Sequence, residues 1–339
     1  KSDFQIIDPY NGKRDLENKL IKTVGSPIER FNEDALRLMR AVRLSAELSF
    51  KIEEETAVAI KKQAGLLEMV AKERVRDELE KMIMSFGAGS VNGIRQLEEL
   101  GLLKYIMSEL NEGIGVGQNK HHIYTVFEHN VRALEYSAKQ NYDLIVRVAS
   151  LLHDVGKPAT KHGEGPDSTF YGHQVVGERI AIKILDRLRA PKEMSEKIAL
   201  LIREHMFVYD PETVTDAGAR RLLRRVGPEN IEDLFKLREA DRIGSGVPKA
   251  VPYRLRHLKF RIEKVMNDPI SAKMLKVNGE DVMREAAIPA SPKVGAILAV
   301  LLEEVLDDPN LNVKETLAAR VKDLAQLDEK KLAEMAKFA

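Results

Sequence analysis

Leu151-Leu152-His153-Asp154-Val155-Gly156-Lys157-Pro158 ends an apolar helical run with an imidazole and a carboxylate side by side. An adjacent His-Asp pair can give one bond each to a hard or borderline divalent ion. Working outward, His129 lies 24 residues earlier on the amphipathic stretch Phe127-Glu128-His129-Asn130-Val131, and Asp241 lies far downstream in Leu237-Arg238-Glu239-Ala240-Asp241-Arg242. Seven of the eight histidines fall between positions 121 and 205, and there is no cysteine among the 339 residues. Disulfides, thiolate zinc sites and cysteine nucleophiles are therefore excluded, and any metal must be held by His, Asp and Glu. A lone histidine on an apolar face is more often a packed core residue than a ligand, so spacing alone leaves both readings open.

The rest of the chain gives the setting. A 3.6-residue hydrophobic period marks helices over 33–48, 53–63, 73–85, 90–100, 122–139, 143–153, 174–189, 193–206, 217–225, 229–241, 253–267 and 294–307. Only Gln5–Ile7 and Leu20–Val24 read as short extended pieces. Apolar residues make up 44% and charged residues 32%, a globular composition that excludes wholesale disorder. No apolar run approaches the roughly 18 residues that span a bilayer. The net charge of +1 gives no global pull toward nucleic acid, so electrostatics must be read locally. Gly and Pro cluster at 112–117, 156–172 and 244–252 and mark boundaries or functional loops. The expected fold is mainly α, elongated and multi-domain.

The order His129, then His153-Asp154, then Asp241 resembles the HD superfamily of metal-dependent phosphohydrolases over about 120–245. The resemblance implies that His129, His153, Asp154 and Asp241 ligate one divalent ion (Mn, Ni, Co, Fe, Zn or Mg). His173 and His205 match the further histidines of members that hold two. It implies catalytic roles for His153 and Asp154, with Lys157 placed to steady phosphate charge. His121, His122, His162 and His257 are left as surface or supporting residues.

A second constellation is Glu33-Asp34-Ala35-Leu36-Arg37-Leu38-Met39-Arg40-Ala41-Val42-Arg43. Asp34, Arg37 and Arg40 at three-residue spacing predict one shared helix face that Arg43 continues. A carboxylate and a guanidinium one turn apart can meet a base edge, and further arginines can meet phosphates. On chemistry alone such a face is more often a solvated salt-bridge ladder.

Its neighbours add information. Asp8-Pro9-Tyr10-Asn11-Gly12-Lys13-Arg14-Asp15-Leu16, Glu73-Arg74-Val75-Arg76-Asp77-Glu78 and the downstream Leu275–Asp281 and Ile288–Gly295 stretches resemble the class II tRNA nucleotidyltransferase and poly(A) polymerase family, the CCA-adding enzymes. The resemblance implies that Asp34 and Arg37 read the incoming base, that Arg40 and Arg43 flank the nucleotide, and that Glu33 steadies their helix. It implies tRNA, CTP and ATP as partners, no membrane, and a cytoplasmic location. The family's head places two Mg-binding carboxylates on a strand after a Gly-rich turn. Neither is present here, Lys1-Ser2-Asp3-Phe4 resembles its basic-basic-Asp-Phe motif with Ser2 in place of the second basic residue, and a stretch expected between Phe4 and Gln5 is missing. Nucleotide addition is accordingly expected of the intact protein. The expected parts are 1–30, a remnant of an α/β nucleotidyltransferase head; 31–111, a nucleotide-recognition neck and helical body; 117–246, an HD domain; and 247–339, a helical RNA-binding tail.

From Arg242 to Lys276 nine Lys or Arg face Glu263 and Asp268, a local balance of +7. Arg254, Arg256, Lys259 and Arg261 in this stretch, with Arg221 and Arg224 upstream, are the candidate RNA contacts. The leading reading is a tRNA nucleotidyltransferase carrying an HD phosphohydrolase domain. Against it stand a free-standing HD phosphohydrolase acting on nucleotides or RNA ends, and a non-enzymatic RNA-binding scaffold.

Overall fold

The computed structural model describes residues 7–119 and 123–335. The Lys1–Phe4 motif, the extended reading of Gln5 and Ile6, and His121 and His122 lie outside them. The described chain is mainly α-helical. Its two strands, Leu20–Ile21 and Lys51–Ile52, form one parallel pair. The expected strand over Leu20–Val24 is thus shortened, and its partner carried no recognisable pattern. No helix among the described residues is long and apolar enough to cross a membrane.

Two compact units are present, one of residues 1–206 with 232–250 and the other of 207–231 with 251–339. Residues 207–231, expected within the 117–246 domain, therefore pack with the C-terminal unit. In the first unit, Leu36–Leu48 packs on Lys72–Ile83 and Gly89–Glu99, Val126–Lys139 packs on Leu144–Leu152, and His173–Arg187 packs on Lys192–Glu204. In the second, Asp216–Val226 packs on Tyr253–Val265 and Pro292–Asp307, and Gly279–Ala286 packs on Lys314–Ala325.

The helix expected over 33–48 is in fact two. Pro27–Glu33 ends before Asp34, which adopts an extended conformation, and a new helix begins at Leu36. Asp34 Oδ1 accepts a hydrogen bond from Leu36 N at 3.1 Å. A short carboxylate side chain satisfies an otherwise orphaned amide better at a helix start than inside one, and this local preference breaks the helix. Asp34 and Arg37 consequently do not share a helix face. The Asn278 amide and the Asp281 carboxylate form a reciprocal capping box that starts Gly279–Ala286, a helix absent from the sequence expectation.

Candidate metal centre

Leu144–Leu152 delivers the His-Asp pair into the interior. Asp143 Oδ1 accepts from Val146 N at 2.9 Å and starts the helix, whose residues from Val146 to Leu152 are all buried. Burying Leu151 and Leu152 contributes about 1.5–3 kcal/mol each and fixes the helix in place. His153 caps it, so His153 and Asp154 enter the centre at its end. Thr125 caps Val126–Lys139, which supplies His129; Ile231–Gly244 supplies Asp241; His173 opens His173–Arg187, and His205 closes Lys192–Glu204.

Two glycines let these helices approach. A Cβ on Gly156 would lie 2.3 Å from His173 O and 2.5 Å from Gly177 N. One on Gly244 would lie 2.9 Å from His129 O. Any side chain at either position would push a ligand-bearing helix away from Asp154.

The six expected ligands come together and are all buried. His129 Nε2 lies 2.9 Å from His153 Nε2, 3.1 Å from Asp154 Oδ2 and 3.3 Å from Asp241 Oδ1. His153 Nε2 lies 3.4 Å from Asp154 Oδ2 and 3.6 Å from Asp241 Oδ1. The other oxygen, Asp154 Oδ1, faces His173 Nε2 at 3.2 Å and His205 Nε2 at 3.8 Å. Asp154 is thus shared by two groups, one with His129 and His153 and one with His173 and His205.

The donor set fits a divalent ion. The Nδ1 atoms of His153, His173 and His205 sit 2.9, 2.8 and 2.7 Å from the main-chain oxygens of Ser150, Phe170 and Ile202. A carbonyl only accepts, so each Nδ1 donates and each Nε2 turns a lone pair toward Asp154. Lone pairs as close as those of His129 and His153 repel unless a proton or a cation lies between them. Without a metal the proton takes that place. Burial would push the His153 pKa down, but the Asp154 and Asp241 carboxylates override it and hold it at about 10. Burial lowers His205 to about 3, reinforced by the charge on His153. Burial opposes ionisation of Asp154 and Asp241, yet Lys157 and Arg238 beside them hold both well below the usual carboxylate range.

Sequence reasoning placed Lys157 here but missed three residues, Gln118, Arg238 and Asn130. Lys157 Nζ is held 2.6 Å from Asp154 Oδ2 and also donates to Gln118 Oε1 at 2.6 Å, and Gln118 Nε2 donates to Tyr124 O at 3.2 Å. Arg238 Nη1 lies 2.6 Å from Asp241 Oδ2. An Arg three residues before an expected acidic ligand was a usable signal for Arg238. Nothing in the sequence links Gln118 to Lys157, which lie 39 positions apart. The third is Asn130, fully buried beside His129 in sequence with neither amide atom hydrogen-bonded.

The Asp34 region is more exposed and ion-paired. Asp34 Oδ2 meets Arg74 Nη2 at 3.1 Å, and Arg37 Nη1 meets Glu33 Oε2 at 2.7 Å. Arg30 also pairs with Glu33, at 2.8 Å. Arg43 Nε binds the buried Glu78 at 2.5 Å, with Arg40 Nε 3.6 Å from the same carboxylate. Arg74, in the Glu73–Glu78 segment, is thus the cation that holds Asp34.

Several expected RNA contacts are committed within the second unit. Arg221 lies 3.3 Å from Glu303 and 3.1 Å from Asp307, Arg224 also pairs with Glu303, and Arg261 lies 2.5 Å from Asp216. Arg256 Nη1 donates to Val251 O at 3.1 Å, and Arg254, with 62% of its side chain exposed, lies 3.1 Å from Asp210. Lys259 is half-buried and partnered.

Residues 126–244 match the HD domain model, and residues 49–114 match a model described as the probable RNA and SrmB-binding site of polymerase A. An A-adding tRNA nucleotidyltransferase of Deinococcus radiodurans is 35% identical over 312 residues, 88% of this chain and 70% of that protein. The chain belongs to the tRNA nucleotidyltransferase family. A CC-adding tRNA nucleotidyltransferase of Thermus thermophilus is 34% identical over 300 residues, 86% of this chain and 66% of that protein. The chain thus spans about two thirds of the length of these relatives. The fold is shared with the Bacillus stearothermophilus CCA-adding enzyme in complex with CTP, at a TM-score of 0.66 and 24% identity, covering 96% of this chain and 70% of that one.

Proposed function

We propose that the whole protein adds nucleotides to tRNA 3′ ends from CTP and ATP in the cytoplasm, and that its HD centre hydrolyses phosphate esters at RNA or nucleotide ends. Family membership supports the first part. Asp34 and Arg37 would read the incoming base, with Arg74 holding Asp34 and Glu33 holding Arg37 until a nucleotide recruits them. One relative adds A and the other CC, so which nucleotides this member adds is left to assay. Complete protein given tRNA lacking its 3′ end and labelled CTP or ATP should incorporate label; incorporation of neither contradicts the proposal.

The observation that carries the second part is the single Asp154 carboxylate facing four imidazoles. His129, His153, Asp154 and Asp241 would hold one ion, and His173 and His205 would hold a second with Asp154. Imidazole and carboxylate together suit Mn, Fe, Ni, Co or Zn better than Ca. A bound ion supplies polarisation of a phosphoryl oxygen and an acidified water. The chain itself excludes solvent through its buried ligands, orients the imidazoles of His153, His173 and His205 through main-chain carbonyls, and places the Lys157 ammonium beside Asp154. Hydrolysis of a phosphomonoester or phosphodiester that needs added divalent metal and disappears in His153→Ala supports this reading; hydrolysis unaffected by that substitution opposes it. A free-standing HD phosphohydrolase would need neither the Asp34 region nor the tail.

A further inference from the structure

The centre's carboxylates already have cations. Asp154 has the Lys157 ammonium at 2.6 Å, and Asp241 has the Arg238 guanidinium at 2.6 Å. Lys157 is not incidentally near: its side chain is 8% exposed, and Gln118 fixes it from a different segment. Gln118 is itself buried and anchored to Tyr124 O, so the ammonium is a built component. Two carboxylates against two fixed cations leave no negative charge over to balance a bound divalent ion.

From this we infer that Lys157 and Arg238 are built-in counter-cations that make metal binding at this centre depend on an anion, with phosphate as the chemical class. The inference rests on the metal reading proposed above. A divalent ion held between carboxylates that are already paired keeps its full charge, and a buried unbalanced charge is costly. An anion arriving with the ion removes that cost, so each tightens the other. Linkage requires the coupling to be equal in both directions. A carboxylate-rich site without these cations would be neutralised by the metal alone and would gain little from phosphate. Gln118 acts as a positioning residue, because its amide oxygen keeps the ammonium against Asp154.

The experiment is a calorimetric titration of the unaltered, metal-stripped chain with Mn2+, in inorganic phosphate and in sodium chloride of equal ionic strength. Phosphate should tighten Mn2+ by roughly 5–150-fold, the usual span of coupled binding, and Mn2+ should tighten phosphate by the same factor. Lys157→Met should bind Mn2+ alone several-fold more tightly than the unaltered chain and lose most of the phosphate coupling. Mn2+ binding indifferent to phosphate overturns the inference while leaving the metal reading intact. Absence of Mn2+ binding in both buffers overturns the metal reading and the inference with it. The first comparison uses only the unaltered chain, so it decides the matter even if Lys157→Met does not fold.

Discussion

Around Asp154 and around Asp34, two charged constellations in one packing unit manage their charge in opposite ways. The Asp154 group is buried, its histidine lone pairs converge, and its neighbours are fixed by main-chain carbonyls or by another segment. The Asp34 group is partly exposed, and each side chain is satisfied by a nearby partner of opposite sign. Burial makes every Coulomb term around Asp154 large, whereas exposed pairs are screened and contribute about 0–1 kcal/mol. The first arrangement suits a small ion held rigidly. The second suits a larger ligand that exchanges one set of hydrogen bonds for another.

The largest expected effect tests that contrast directly. His153→Ala or Asp154→Ala should lower metal-dependent phosphate-ester hydrolysis by at least about a hundredfold, since even residues behind the ligands of a metal site are worth 10–100-fold. CTP and ATP incorporation by the complete protein should be largely unchanged, because its residues lie on other helices. A parallel loss of both activities would mean that the two constellations are not separable.

Asp34→Ala should act on selectivity and on stability together. Loss of the amide bond at Leu36 should cost about 0.5–2 kcal/mol, seen as a lower melting temperature. Loss of the base contact should reduce discrimination between CTP and ATP by about 1–3 kcal/mol. Arg74→Ala removes the partner of Asp34 without touching the cap, so competition between CTP and ATP in that variant isolates the second effect.

The third effect depends on pH. With the His153 pKa held at about 10, the metal-free centre carries a proton at neutral pH that a metal must displace. Mn2+ affinity should therefore rise with pH, by up to about tenfold per unit between roughly pH 6 and 9. In the metal-free chain the sign is reversed. A raised folded-state pKa gives stability that is present below the ordinary value of 6.5 and lost as pH climbs toward about 10. Melting temperature against pH, with and without Mn2+, separates the two trends.

The smallest effects concern the basic residues of the second unit. Arg254→Ala should weaken tRNA binding and reduce the salt slope by about one. Arg221→Ala and Arg224→Ala, which release Glu303, should chiefly lower the melting temperature. An equal loss of tRNA affinity in all three would return Arg221 and Arg224 to the RNA surface.

The His-Asp cluster was legible in the sequence because imidazoles and carboxylates are rare on apolar helices and each of these lies on or next to a periodic segment. Tertiary neighbours were not legible: Gln118 reaches Lys157 from a glycine-rich loop that carries no helical or strand period. Asp34 was read onto a helix because apolar periodicity runs through the break. An acidic residue two positions before Leu36 was also a cap signal, and the cap prevailed. The basic balance of 242–276 is partly offset from outside that stretch, where Asp216 engages Arg261 and Lys264. Lys314–Ala325 went unnoticed although Leu317, Val321 and Leu324 follow helical spacing and are buried.

The central claim is that His129, His153, Asp154 and Asp241 hold a divalent ion, and anomalous diffraction from Mn2+-soaked crystals tests it most directly. The account predicts a strong anomalous peak at direct bonding distance from His129 Nε2, His153 Nε2 and oxygens of Asp154 and Asp241. A map with no peak there would contradict it.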